Sequence, residues 1–174
     1  MEPGPECEAL SLSDQPANKP IDRATLLQML AESIVPHARE EIARHKWIES
    51  EKASRDLGQK AVEDWLKRFW WRFCRWRRLE HIEGHRCWRE FNEFDFAILR
   101  RISKDQKLQK LLEAIMDRMK GDGNKIHDNL EIIVWALENK EVVHYQRVEE
   151  FLLLIDINAA RLPIPGELLR AAVA

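Results

Sequence analysis

Residues 59–83 read QKAVEDWLKRFWWRFCRWRRLEHIE, a stretch bounded by Gly58 and Gly84 that holds four of the seven tryptophans. At about 100° per residue, Val62, Trp65, Leu66, Phe69, Phe73 and Trp76 fall within one sector, with the i, i+3, i+4, i+7 spacing of a buried helical face. Trp70 sits at the edge of that sector. The opposite side carries Lys67, Arg68, Trp71, Arg75 and Arg78, with Asp64 as the nearby acid. The spacing predicts one long helix over 59–83, aromatic on its core side and cationic on its outer flank.

Trp71 is the residue that this core face does not explain, because it lies about 180° from Val62. Two readings compete for it. Another helix covers it, or Lys67 and Arg75, one turn to either side, stack on the indole as cation–π partners. Alternatively Trp71 and its cations form a contact surface, since Trp and Arg are the residue types that anchor interfaces.

The rest of the chain agrees with an all-α fold. Between Gly58 and Gly166 the glycines are Gly84, Gly121 and Gly123, and no proline occurs from His37 to Leu162. Breakers therefore punctuate segments and do not interrupt them. Strand formers are scarce, with Thr25 the one threonine and Tyr145 the one tyrosine. The expectation is a single-domain bundle of about six to seven helices around one core, a size that 174 residues allow.

Taken in order, residues 1–19 form an acidic, proline-containing tail of the kind that stays disordered. A helical domain is expected over 20–162 and a C-terminal extension over 163–174, begun by Pro163 and Pro165. Asp22 caps a first helix with the stripe Leu26, Leu27, Leu30 and Ile34, and Pro36 kinks it or starts the next. Residues 37–57 are polar, with a thin stripe of Ala38, Ile42 and Ala53, and Gly58 turns that segment back as a hairpin partner of 59–83. Residues 85–96 are dense in aromatics without clean period, and Asn92 is placed to cap a helix running through Ile102.

Beyond it, Ser103 caps a helix faced by Leu108, Leu111, Leu112, Ile115, Met116 and Met119. Leu130, Ile133, Val134 and Leu137 face the core from a helix over 126–139. Val148, Phe151, Leu152, Ile155 and Ala159 do so from one over 143–161.

Three places in the sequence carry candidate chemistry. Glu41, His45 and Glu49 at i, i+4, i+8 resemble a metal or acid–base array, but Lys46 and Lys52 lie close enough to pair the acids, and the favoured reading has Glu49 or His45 meet arginines of 59–83. His81 and His85 with Cys74 and Cys87 lack the CxxC or second ligand pair that zinc needs, and His81 suits a helix C-terminus. Glu141-x-x-His144 is one carboxylate–histidine step where a di-iron bundle needs two. No nucleophile motif and no phosphate loop emerges, so neither a cofactor nor a metal is expected.

The net charge of −2 argues against a generic nucleic-acid binder. Charge is uneven, however: from Trp65 to Arg89 eight Lys/Arg face Glu80 and Glu83. Three cysteines without framework spacing, no leader-like segment and no apolar run near ~18 residues point to a cytoplasmic setting without a transmembrane segment. The functional expectation is a non-enzymatic interaction or regulatory protein, binding a protein partner or a second copy through Lys67, Arg68, Trp71, Arg75 and Arg78. The alternative is nucleic-acid binding by the same flank, with cations on phosphates and Trp71 stacking a base. Interfacial membrane binding would require the core face to be open, and an unrecognised enzyme stands last.

Overall fold

The computed structural model describes residues 22–102, 105–121, 127–140 and 143–170. The tail expected over 1–19 lies outside them, as do Ser103 and Glu141. Among the described residues the protein is an all-α bundle. Its helices are α1 (Arg23–Leu30), α2 (Ile34–Ala53), α3 (Gln59–Glu83), α4 (Ile98–Ile102), α5 (Gln106–Lys120), α6 (Asn129–Glu138), α7 (Tyr145–Ile155) and α8 (Gly166–Arg170). Two 3-10 turns, Glu93–Asp95 and Ile157–Ala160, complete the set. The one β feature among these residues is an isolated bridge between Glu32 and Trp88.

Local chemistry accounts for most boundaries. Asp22 caps α1 through the Thr25 amide and Asp105 caps α5 through that of Lys107. Asp128 and Glu131 form a reciprocal capping box at α6. Ser33 caps α2, so Pro36 falls in the first turn of a new helix, where its missing N–H costs nothing. Asn92 caps only the Glu93–Asp95 turn; α4 begins later. At the end of α3, Gly84 adopts φ +77°, and a Cβ there would meet the Ala97 Cβ at 2.5 Å. Glycine is required both by the left-handed turn and by the returning chain.

α3 is the spine, and it is buried on different sides along its length. In its first half Val62, Trp65, Leu66 and Trp70 pack with Ile34, Val35, Ala38 and Ile42 of α2, with Trp88, Phe91 and Leu168 closing the cluster. Phe69 and Phe73 are half-buried against this group. In its second half Leu79 and Ile82 pack instead with α5, α6 and α7, through Ile115, Met116, Met119, Ile132, Ala136, Val148, Phe151, Leu152 and Ile155. On the wheel the second buried sector lies roughly opposite the first. The expected single core is therefore two clusters, and α3 presents opposite faces to them.

Several expected core residues move accordingly. Trp76 is 47% exposed, because by that point the covered side of α3 has reversed. In α1 only Leu27 is buried, while Leu26 and Leu30 face outward. In α6 the buried residues are Ile132 and Ala136, and Leu130, Val134 and Leu137 are exposed. Ala160, not Ala159, is buried after α7, since α7 stops at Ile155 and a tighter turn follows. The C-terminal extension packs on the bundle through Leu168, which is fully buried, and through an Arg39–Glu167 ion pair at 2.6 Å.

The aromatic connection after α3 serves as a clamp. Trp88 is fully buried, with His37 edge-on to it and Arg77 and Arg86 over its rings. Its indole N–H donates to Glu80 at 3.1 Å. Two residues on, the Glu90 carboxylate accepts from Ser33 Oγ at 2.6 Å and from the Ile34 amide at 3.1 Å. An anion is thus fixed at the positive end of α2.

Candidate functional site on the outer sides of α3

The flank expected to bind a partner divides into two unlike parts. Arg75 and Arg78 are buried, at 2% and 1% exposure, and must be withdrawn from the contact surface. Arg75 donates to the carbonyl of Met119 at 3.1 Å, near the end of α5, and to that of His127 at 2.5 Å. Arg78 donates to the carbonyl of Ile155, the last residue of α7, at 3.0 Å and to Asp95 at 2.7 Å. Helix C-termini leave carbonyls without partners and carry partial negative charge. Both arginines answer that need from the neighbouring helix. Burial lowers the Arg75 guanidinium below its ordinary pKa, with Asp128 opposing the shift.

Lys67, Arg68 and Trp71 are exposed, Trp71 at 40%. Trp71 lies between two cations, with the Arg75 guanidinium 5.6 Å and that of Arg161 5.9 Å from its ring centroid. Arg75 was an expected neighbour; Arg161 comes from the far end of the chain and leaves no mark in the local spacing. Arg68 is held by Asp64 at 3.0 Å, and Asp64 also meets His45 Nε2 at 3.0 Å. Burial would raise the Asp64 carboxyl, but the hydrogen bonds from His45 and Arg68 outweigh it and hold its pKa below the usual value. His45 thus serves the α2–α3 seam.

On another side of α3 the structure reveals a groove of about 450 Å³. Trp65, Phe69, Phe73 and Trp76 supply aromatic surface, and Arg72, Arg77, Lys120 and Glu41 stand around it. Arg72 is exposed and makes no ion pair among the described residues. The other charges are engaged: Arg77 with Glu80 at 2.9 Å, Lys120 with Glu83 at 2.5 Å, Glu41 with Arg44 at 3.1 Å. Sequence reasoning missed this groove by assigning its aromatics to the core. The signal was present as surplus: Trp76 and Phe73 exceed what one packed face can cover once α3 turns its other side inward.

His81, Cys74 and Cys87 are built into the packing. His81 is fully buried; its Nδ1 accepts from the Trp88 amide and its Nε2–H donates to the Asn92 carbonyl, each at 3.0 Å. That pattern fixes a neutral ring, and burial lowers its pKa. The Cys74 thiol, buried, is pushed up to about 12, and burial also raises that of Cys87. Both are poor nucleophiles there. Among the described residues no group of His, Cys, Asp and Glu is arranged to hold a metal ion. No helix among them is long and apolar enough to cross a membrane. Comparison of the chain with protein-family models, curated proteins and solved structures gave no match.

Proposed function

We propose that this protein is a non-enzymatic helical interaction protein, which binds a protein partner through the solvent-facing residues of α3. The observation that carries the reading is the pair Trp71 and Trp76. Both indoles remain 40–47% exposed on a helix that is otherwise packed on two opposite sides. Trp and Arg are both enriched among interface anchors, and here Lys67, Arg68 and Arg72 accompany them. The nucleic-acid reading loses two of the four cations assigned to phosphates, because Arg75 and Arg78 are spent on backbone carbonyls.

Affinity capture from a cell lysate, with and without nuclease, tests the reading. Proteins retained by the wild-type chain should be lost with the Trp71→Ala/Trp76→Ala double variant and should survive nuclease treatment. Capture that ignores the double substitution contradicts the proposal. Capture abolished by nuclease transfers the flank to nucleic acid.

A further inference from the structure

Resting on partner binding through α3, we propose that the groove between Trp76 and Glu41 receives an acidic peptide segment. An apolar side chain of the partner lies on Phe69, Phe73 and Trp76, and a neighbouring carboxylate of the partner pairs with Arg72. The volume, about 450 Å³, is that of a site for one or two side chains.

The sign of the guest follows from where the protein's own charges sit. An aromatic-walled cleft ordinarily suits a cation, drawn to the negative ring faces. Here the two phenylalanine rings already carry cations of the protein itself. The Arg68 guanidinium lies 5.0 Å from the Phe69 centroid and that of Arg77 4.8 Å from the Phe73 centroid. A cationic guest would meet like charge at both rings, whereas an anionic one would meet Arg72.

The neighbouring charges reinforce this choice. Arg77, Lys120 and Glu41 each hold an opposite charge on their own chain, which leaves Arg72 as the uncompensated charge of the groove among the described residues. One available cation suits one carboxylate at an apolar anchor. It falls short of the several phosphate contacts on which nucleic-acid affinity rests.

Fluorescence anisotropy with three labelled ligands tests the groove directly: a peptide alternating Glu with Leu, the same peptide with Lys in place of Glu, and oligo-dT. The Glu/Leu peptide should bind the full chain and the Lys/Leu peptide should not. Arg72→Glu and Trp76→Ala should each weaken the Glu/Leu peptide at least tenfold, Arg72→Gln should weaken it less than Arg72→Glu, and Lys110→Glu, at an exposed position of α5 outside the groove, should leave it unchanged. Circular dichroism confirms that each variant is folded. No binding of the Glu/Leu peptide, equal binding of the Lys/Leu peptide, or preference for oligo-dT overturns the proposal. If the peptide fails while lysate capture still depends on Trp71 and Trp76, the groove's acidic guest is rejected and partner binding through α3 stands. If both fail, both are rejected.

Discussion

Arg78 and Ile155 are joined by a 3.0 Å hydrogen bond from a buried guanidinium to the last carbonyl of α7. The same side chain holds Asp95 at 2.7 Å, so one residue of α3 ties the end of a distant helix to the connection that follows its own. A planar fork of several N–H donors does this in fixed geometry; a lysine ammonium has three donors on a flexible stem and no such preset fork.

Arg78→Ala should therefore destabilise the protein by about 3 kcal/mol, the scale on which breaking a buried charged pair costs stability. Arg78→Lys should recover little of it. Urea unfolding monitored by circular dichroism checks both, and a loss below about 1 kcal/mol for Arg78→Ala would show that the burial of this cation contributes nothing net.

The exposed and buried tryptophans of α3 should separate cleanly. Trp71→Ala and Trp76→Ala each leave stability within about 1 kcal/mol of wild type, as surface truncations do. Trp65→Ala should cost about 3–5 kcal/mol, because that indole is 5% exposed in the first cluster. Thermal or urea melts of the three single variants decide it, and a core-sized loss at Trp76 would place it inside after all.

Acid should weaken the fold through His81. Burial, aided by nearby Arg78 and opposed by the Asn92 hydrogen bond and Asp95, holds its pKa below the ordinary 6.5. Above that value the ring is neutral in both folded and unfolded chains, and the full stability is present. As pH falls below it the unfolded chain takes a proton that the folded chain refuses. Stability then drops by about 1.4 kcal/mol per pH unit until the folded ring also protonates. Urea midpoints measured from pH 7 to pH 5 (about the range in which histidine titrates) should show this decline, and His81→Gln should lack this component.

Two glycines with positive φ should differ under the same substitution. Gly58→Ala meets a backbone cost alone, about 1–3 kcal/mol, because φ +52° with ψ −129° is a conformation that L side chains rarely adopt and a Cβ at Gly58 meets nothing within 4 Å. Gly84→Ala combines the left-handed α cost of about 1 kcal/mol with the 2.5 Å encounter with Ala97, and should lose clearly more than that cost alone. A loss of only about 1 kcal/mol at Gly84 would mean that the chain around Ala97 yields freely.

Much of the fold was legible because it is written locally. The bounds of α3, the caps at Asp22 and the restart near Pro36 follow from residues within a turn of the feature they control. The faces of α5 and α7 follow from period, because each of those helices packs on one side only. Period failed where a helix is covered on more than one side, or on a side other than its most apolar one. Leu130, Val134 and Leu137 have the ideal spacing of a core face, yet α6 turns Ile132 and Ala136 inward.

By itself, then, the sequence determined the all-α class, the bounds of α3, and that α3 concentrates its aromatic and cationic surface. Only the tertiary structure decided which of those cations are available. Arg68 and Arg78 look alike on a wheel, but Arg68 points to solvent while Arg78 meets the end of α7. The reason is physical: helix ends expose unpaired carbonyls wherever the packing of other segments happens to bring them, and an arginine close enough is drawn to satisfy them. That placement depends on residues some eighty positions away, and no local spacing encodes it.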